Sequence, residues 1–265
     1  MKFARPTGRG GGSGPLFGGR PYVAASSAPV VLPDLPQLPA ISIILPTYNE
    51  AEGLPALLRY LRTEADAAVE ILVADAASPD GTAAVARAGG ARVVACPQRG
   101  RAAQLNCGAR AATGQVLYFL HADTYPPRGF PALIRAALAA GAGSGCFRLR
   151  FNHPHWFLRL SAWFTRFDVD AIRFGDQSLF VRRAVFERAG GFRPELQLME
   201  DQEIVPRLRW HGPFRVLPQY VTTSARKYLV NGVYRLQASF TLLAVLHWLG
   251  VSQPRLVRLY RRLIA

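Results

Sequence analysis

The stretch Ile41-Ser42-Ile43-Ile44-Leu45-Pro46-Thr47-Tyr48-Asn49-Glu50 decides the fold class of this chain. Its first five residues are mostly β-branched and apolar, which is typical of a short buried strand. Pro46 ends ladder pairing, and apolar residues at helical spacing follow from Glu50 to Leu61. The stretch therefore predicts a β–α unit whose helix directs its positive end toward the end of the strand.

The alternation of strand and helix continues along the chain. Apolar strands between helices indicate a mostly parallel central sheet with helices on both faces, an α/β fold resembling a Rossmann-type nucleotide-binding half. Ligands of such sheets bind beyond the carboxyl ends of the strands, so functional side chains are expected directly after each strand. The further predicted strands are 70–74, 93–95 and 116–120, and the further predicted helices are 80–88 and 102–113.

Carboxylates follow two of these strands. Asp75 comes directly after the second strand, in a turn where Asp80 is expected to cap the next helix. The fourth strand runs into His121-Ala122-Asp123, and alternating residues at a strand end project to the same side. His121 and Asp123 are therefore predicted to converge on one ion or phosphate. The alternative is that Asp123 is a turn residue before the prolines that follow.

Acidic residues are also concentrated later in the chain. Asp176 lies in the segment 174–178, just before an apolar strand, and Glu200, Asp201 and Glu203 open a helix. Three acids within four residues repel one another. Such a group is expected where a helix dipole or nearby cations stabilise the charge, or where one acid needs a raised pKa; a solvated helix start is the alternative.

The composition restricts the partners and the compartment. Thirty-two Lys and Arg against 17 Asp and Glu give a net charge of +15, which suits nucleotide diphosphates or phospholipid headgroups. We expect no nucleic acid partner, because the sequence has no zinc-finger spacing, RNP-like strand or helix-turn-helix signature. Three scattered cysteines form no CxxC pair, and no signal peptide or spanning segment is evident, so a cytoplasmic location is expected.

Two segments flank the predicted catalytic part, which covers 41–228. Residues 1–40 are rich in Gly and Pro and are predicted to be a disordered leader. Residues 229–265 form a helical arm with a run of about 14 largely apolar residues, which is too short to span a bilayer. Arginines follow this run. The pattern leaves two interpretations open: an amphipathic anchor on anionic lipid, at the inner face of the plasma membrane, or a helix packed on the domain or in a homodimer.

Taken together and in this order, the motifs resemble family 2 glycosyltransferases with the GT-A fold, over 41–228. The strand leading to P-x-Y-N-E matches 46–50, the aspartate turn V-D-x-x-S-x-D-x-T matches 75–82, and 99–106 is similar to the basic segment over the base and sugar. The resemblance implies that Asp75 pairs with the ring N–H of uracil or guanine in a UDP- or GDP-sugar. The donor-binding residues that it implies are Pro46, Tyr48, Glu50, Asp75, Arg101, Asn106 and Asp123.

The family's D-x-D metal motif is present in a changed form. His121 replaces the first carboxylate, so the resemblance transfers the metal role to Asp123 and less firmly to His121. This H-A-D-T form is similar to that of a bacterial branch of the family. Divalent Mg or Mn is the expected cofactor, because hard cations bind carboxylate and diphosphate oxygens.

The resemblance also implies a reaction. Asp201, with Glu200, matches the family's E-D base, and Gly175, Asp176 and Gln177 resemble its acceptor-side segment. Asp201 would take a proton from an acceptor hydroxyl, which could be lipid-linked, while that oxygen attacks C1 of the donor sugar and inverts it. The alternative function is a non-catalytic nucleotide-sugar or lipid-binding module, since fold does not fix function and the first metal carboxylate is missing.

Overall fold

The computed structural model describes residues 39–170 and 175–264 of this chain. The predicted leader therefore lies almost entirely outside the described residues. The strands are β1 Ile41–Thr47, β2 Val69–Asp75, β3 Arg92–Ala95, β4 Val116–Phe119, β5 Thr124–Tyr125, β6 Ser144–Phe151, β7 Leu179–Arg182 and β8 Phe214–Thr223. The helices are α1 Leu54–Glu64, α2 Thr82–Ala88, α3 Arg101–Ala111, α4 Phe130–Ala139, α5 Trp156–Phe164, α6 Arg183–Arg188, α7 Glu200–Arg209, α8 Arg226–Asn231, α9 Val233–Trp248 and α10 Gln253–Leu263.

The strands form one sheet in the order β3-β2-β1-β4-β7-β6-β8-β5. The first four are mutually parallel, and β6 pairs with β8 in parallel, whereas β7 is antiparallel to both of its neighbours. In the register of β1 with β2, Thr47 lies opposite Asp75 at the carboxyl ends of the two strands. The predicted parallel arrangement of the first four strands is confirmed.

Both faces of the sheet are covered. Alternate residues of β1 point to opposite sides, so Ile43 packs with α1 and α4 while Ile44 packs with α3. Helix α3 lies so close to β1 that a Cβ at Gly108 would collide with the Ile44 side chain. The expectation of helices on both faces is therefore confirmed.

The first helix starts later than predicted. It begins at Leu54 rather than at Glu50, because Asn49 adopts a left-handed conformation with φ 58° and the chain forms a loop before Pro55. The next helix begins at Thr82 after Gly81, so Asp80 is not its N-cap residue. Asp80 still has a structural role, because its Oδ1 accepts the N–H of Thr82 at 3.0 Å.

The C-terminal arm packs on the segment that leads into α7. Leu236 of α9 and Leu256 of α10 are buried in one cluster, and Leu198 packs against it. The Gln253 side chain accepts the N–H groups of Gln197 and Leu198, both at 3.2 Å. Of the two interpretations of the arm, packing on the domain is observed for these residues. Within 39–170 and 175–264, none of the helices combines the length and apolar composition needed to cross a bilayer.

One buried side chain of α3 ties two strand ends together. The Gln104 Nε2 donates to the carbonyl oxygens of Thr47 at 2.7 Å and Ala74 at 2.9 Å. Gln104 is buried, so these carbonyls have little access to water as a replacement partner. Gln104 thus fixes the position of α3 relative to the ends of β1 and β2.

We predict that Gln104→Leu lowers the free energy of unfolding by about 1 to 3 kcal/mol, because the Thr47 and Ala74 carbonyls each lose a buried donor, while Thr47 keeps the N–H of Ala76 at 3.2 Å. Gln115→Leu is the matched control, since Gln115 is exposed just before β4. Urea denaturation measures both variants. Equal stability of the two would show that the Gln104 bonds contribute nothing to the fold.

Candidate active site

Asp75 is fixed at the end of β2 by its neighbours. The Thr47 hydroxyl donates to Oδ1 at 3.0 Å, and Ser78 donates its N–H to Oδ2 at 3.0 Å and its hydroxyl to Oδ1 at 2.5 Å. A carboxylate has about four acceptor positions, so one remains for a further donor. Asp75 therefore presents a single oriented acceptor at the carboxyl edge of the sheet.

The loop after β1 is held by the loop after β2. The N–H groups of Asn49, Glu50 and Ala51 donate in turn to Ser78 Oγ at 3.0 Å, Thr82 Oγ1 at 2.9 Å and Asp80 Oδ2 at 3.0 Å. These bonds explain why the serine, aspartate and threonine of this turn occur at alternate positions. The two loops form one rigid wall of the site.

Tyr48 stands on the rim of this wall. Its side chain is partly exposed, and the Arg99 guanidinium lies 3.9 Å from the ring centroid and donates to its hydroxyl at 2.5 Å. Pro46 lies within β1, half-buried, two residues earlier. Tyr48 and Arg99 thus offer a flat cationic and aromatic surface beside Asp75. Tyr48 is one of the predicted donor-binding residues, and Arg99 belongs to the predicted basic segment 99–106.

The acids at the start of α7 meet a cation from α3. Arg101 Nη1 lies 3.2 Å from Glu200 Oε1 and 3.7 Å from Asp201 Oδ2. The Glu200 side chain is only 3 % exposed and that of Asp201 19 %. The third acid, Glu203, is paired with Arg193 at 3.0 Å and with Arg207. The predicted combination of a helix start and nearby cations is therefore observed.

The electrostatics of this cluster single out Asp201. Burial raises the pKa of Asp201 to about 7, and the negative charge of Glu200 adds to the effect, while Arg101 and His121 oppose it. Burial alone would lower the pKa of Arg101, but Glu200, Asp201 and Asp176 raise it, so the guanidinium stays charged. One cation thus faces two carboxylates, and the pKa of Asp201 lies well above that of an ordinary aspartate.

A second group of residues lies next to Asp201. His121 Nδ1 lies 2.8 Å from Asp176 Oδ1. A Cβ at Gly175 would collide with the Asp201 carboxyl group and come within 2.7 Å of His121 Nε2. Burial would raise the pKa of Asp176, but the hydrogen bond from His121 and the charges of His121, Arg101 and Lys227 lower it. Asp176 is therefore an anion, and a side chain at position 175 would displace the Asp201 carboxyl group.

Three of the predicted site residues bind to other groups of the protein. Asn106 donates to the Phe192 carbonyl at 2.7 Å and accepts the Phe192 N–H at 3.0 Å, which ties α3 to the segment after α6. Gln177 is buried, donates to the Phe147 carbonyl at 3.3 Å and lines a small cavity together with Gly175 and Asp201, so its place on the acceptor side stays a prediction. His121 is engaged by Asp176 and faces Asp201, and we do not assign it to a metal.

Asp123 is exposed just before β5. Burial raises the pKa of Glu50, and the negative charge of Asp123 raises it further, so the two carboxyl groups lie near each other. Among the described residues no group of three or more His, Cys, Asp or Glu side chains is arranged to hold a metal ion. A hard cation that takes one or two protein carboxylates, with substrate phosphates and water completing its shell, fits this donor set.

Sequence reasoning missed residues that reach the site from distant parts of the chain. The charge of Lys227 lowers the pKa of Asp176, and Asp176 adds to the burial that raises the pKa of Tyr228. Both residues belong to α8. The approach of α8 to the site depends on tertiary packing, so no local sequence pattern predicts it. Gln104 could have been identified from the sequence, because it is a polar residue one helical turn before Gly108 on the buried face of a helix.

Curated relatives with similar sequences are glycosyltransferases. The chain is 39% identical over 110 residues to the undecaprenyl-phosphate 4-deoxy-4-formamido-L-arabinose transferase of Sodalis glossinidius, an alignment covering 37% of this chain and 33% of that protein. It is 30% identical over 171 residues to an uncharacterized glycosyltransferase of Mycobacterium bovis, covering 59% of this chain and 77% of that one. The chain thus spans only about a third of the first relative.

Solved structures share the fold. A mannosyltransferase from Pyrobaculum calidifontis in complex with GDP-Man and Mn²⁺ superposes with a TM-score of 0.65 and 20% identity, covering 87% of this chain and 72% of that one. Glucosyl-3-phosphoglycerate synthase from Mycobacterium tuberculosis, in complex with Mn²⁺, UDP and its product, gives a TM-score of 0.57 and 18% identity, covering 80% and 81%. The fold is therefore the GT-A fold.

The family model of glycosyl transferase family 2 matches residues 42–189, which is more than half of the chain. This range includes the strand ends, the Asp75 turn, the Asp123 segment and Asp176. With the fold and the site geometry, it identifies the chain as a member of glycosyl transferase family 2.

Proposed function

We propose that this glycosyltransferase transfers a sugar from a nucleotide-diphosphate sugar to an acceptor hydroxyl with inversion, and that Asp201 is the general base. The observation that carries the proposal is the pairing of Arg101 with Glu200 and Asp201, which leaves a buried carboxyl with a pKa of about 7. A base with a pKa near the working pH is suited to proton transfer.

The residues act on one attacking oxygen. Asp201 takes the proton of the acceptor hydroxyl while that oxygen forms a bond to C1 of the donor sugar. The bond from C1 to the diphosphate oxygen breaks, and its electron pair leaves with the nucleoside diphosphate. Attack in line with the leaving group inverts C1. Glu200 pairs with Arg101 at 3.2 Å, and its negative charge helps to raise the pKa of Asp201.

Donor recognition is assigned to the ends of β1 and β2. The remaining acceptor position of Asp75 suits a ring N–H, which uracil and guanine both carry, and the Tyr48–Arg99 surface suits stacking against a base. UDP- and GDP-sugars are accordingly the donors that we propose. The solved relatives with GDP-Man and with UDP are consistent with both.

Asp123 is the residue that would hold Mg²⁺ or Mn²⁺. When bound, such an ion neutralises the charge that develops on the leaving diphosphate. Two relatives were solved with Mn²⁺, which supports the assignment of a divalent cation. Because the protein offers a single exposed carboxylate at this position, we infer that the affinity for the ion depends strongly on the nucleotide diphosphate.

The acceptor that we propose is lipid-linked. The name of the Sodalis relative, an undecaprenyl-phosphate transferase, supports this class of acceptor. A lipid-linked acceptor requires the site to work next to a bilayer, and the net charge of +15 favours the anionic inner face of the plasma membrane.

We predict that UDP or GDP raises the melting temperature of the wild-type protein in the presence of Mn²⁺, and that Asp123→Ala abolishes the part that depends on Mn²⁺. A thermal-shift panel with each nucleotide, with and without Mn²⁺, measures this. A mutant that responds to Mn²⁺ as the wild type does would remove Asp123 as the ligand. A wild type that responds to neither nucleotide would favour a non-catalytic module.

Asp201→Asn is expected to slow transfer by about 10²- to 10⁴-fold, because the attacking oxygen loses its base. Release of nucleoside diphosphate from the sugar nucleotide selected by the thermal-shift panel is the assay. Glu203→Gln serves as the matched control from the same helical turn, where Glu203 pairs with Arg193. If Asp201→Asn retains activity within a few-fold of Glu203→Gln, Asp201 is not the base.

Gly175→Ala is expected to lower the rate by about 10²-fold while the fold is retained. The added methyl group meets the flexible Asp201 carboxyl group, which moves aside at little cost to stability. Gly53→Ala is the control, because a Cβ there meets nothing within 4 Å. The two variants are compared by melting temperature and by nucleoside diphosphate release. Full activity of Gly175→Ala would contradict the position assigned to Asp201.

A further inference from the structure

Helix α5 turns an apolar face to solvent. Leu158 and Ala162 are buried against the sheet, whereas the opposite face is exposed and carries no charge at its centre. The exposed residues follow helical spacing, so they form one stripe. They are Trp156, Leu160, Trp163 and Phe164, and Trp156 is 61% exposed.

This stripe is continuous with the start of the C-terminal arm. The Ala225 N–H donates to Asn152 Oδ1 at 2.8 Å, which joins the segment before α8 to the segment before α5. The Tyr234 ring lies 5.2 Å from that of Phe157 and 6.4 Å from that of Trp156. Leu229 and Val230, on the helix that follows Ala225, are also exposed, Val230 by 71%. We call Trp156, Leu160, Trp163, Phe164, Leu229 and Val230 the α5–α8 surface.

Positive charge borders the α5–α8 surface. Four basic side chains are exposed on α5, α8 and the start of α9: Arg159, Arg226, Lys227 and Arg235. The Arg166 guanidinium lies 4.5 Å from the Trp163 ring centroid. Asp168, the acid nearest the end of α5, is bound by Arg209. The border of the apolar surface is therefore predominantly cationic.

We propose that the α5–α8 surface docks on an anionic lipid bilayer. Trp and Tyr side chains favour the headgroup level of a bilayer, apolar residues enter the acyl boundary, and arginine and lysine at the border attract anionic headgroups. A stripe with these three features fits a bilayer better than an aqueous surface, where six large apolar side chains would remain hydrated.

The α5–α8 surface also adjoins the active site. Tyr228, between Lys227 and Leu229, lies 5.3 Å by ring centroid from Phe151, and Asp176 acts electrostatically on Lys227 and Tyr228. A bilayer on this surface would bring a lipid-linked hydroxyl close to Asp176 and Asp201. The inference deepens the proposal of a lipid-linked acceptor, but it depends on different residues and can fail separately.

The apolar end of α9 is less suited to the same role. Trp248 is exposed there, but it lines a cleft of about 420 Å³ together with Asp170 and Glu203. Acidic residues beside the cleft are unfavourable to anionic headgroups. The bilayer contact is therefore assigned to α5 and α8, and not to the arm's apolar run that the sequence suggested.

The test is co-sedimentation with vesicles of phosphatidylglycerol and phosphatidylcholine in equal amounts. We expect the wild type to bind, and Trp163→Ser/Phe164→Ser to reduce the bound-to-free ratio at least about tenfold. Trp210→Ser is the matched control, because Trp210 is an exposed tryptophan outside the surface, at the end of α7. Melting temperatures verify that each variant is folded.

Equal binding of the double variant and the Trp210 control would overturn the proposal, as would binding lost only in Trp248→Ser. Binding to pure phosphatidylcholine as strong as to the mixture would overturn the role of the basic border. Sedimentation equilibrium without lipid tests whether a second copy of the chain occupies the surface instead. A dimeric wild type and a monomeric double variant, with no vesicle binding by either protein, would assign the surface to a second copy. Thermal shifts by nucleotide remain unchanged in the double variant, which separates this result from failure of the donor site.

Discussion

The contact of Arg101 with Glu200 and Asp201 is the constraint on which the site depends. The two carboxylates are largely removed from water, with side chains 3 % and 19 % exposed, whereas the Arg101 side chain is 42 % exposed; together the three groups carry one negative charge in excess. The positive end of the helix dipole lies at the start of α7 and partly offsets that charge. Because the remaining charge is costly, protonation of Asp201 becomes favourable near neutral pH. The chemistry assigned to Asp201 is thus a consequence of its position.

The same contact joins distant parts of the chain. Arg101 begins α3, which Gln104 attaches to the ends of β1 and β2, whereas the acids begin α7. The segment before α7 is in turn held by Gln253 of α10. The arm is therefore part of the support for Asp201, and its removal would disturb the site as well as any surface that it carries.

Much of the fold could be predicted from sequence, because strand and helix alternation is a local pattern. The first four strands and the position of Asp75 after β2 follow from it. The partners of individual side chains do not follow from a local pattern. Asn106 and Gln177 are polar residues in motif segments, but their partners are the backbone atoms of Phe192 and Phe147, which only the tertiary structure brings near. The approach of α8 to Asp176 is non-local for the same reason.

The central claim concerns the protonation of Asp201. Carbon-13 NMR titration of the side-chain carboxyl groups measures it directly, and comparison with Asp201→Asn assigns the signal among the 17 Asp and Glu of the chain. The account predicts a midpoint near 7 for Asp201. A midpoint at or below about 4, the value of an unperturbed aspartate, would contradict it.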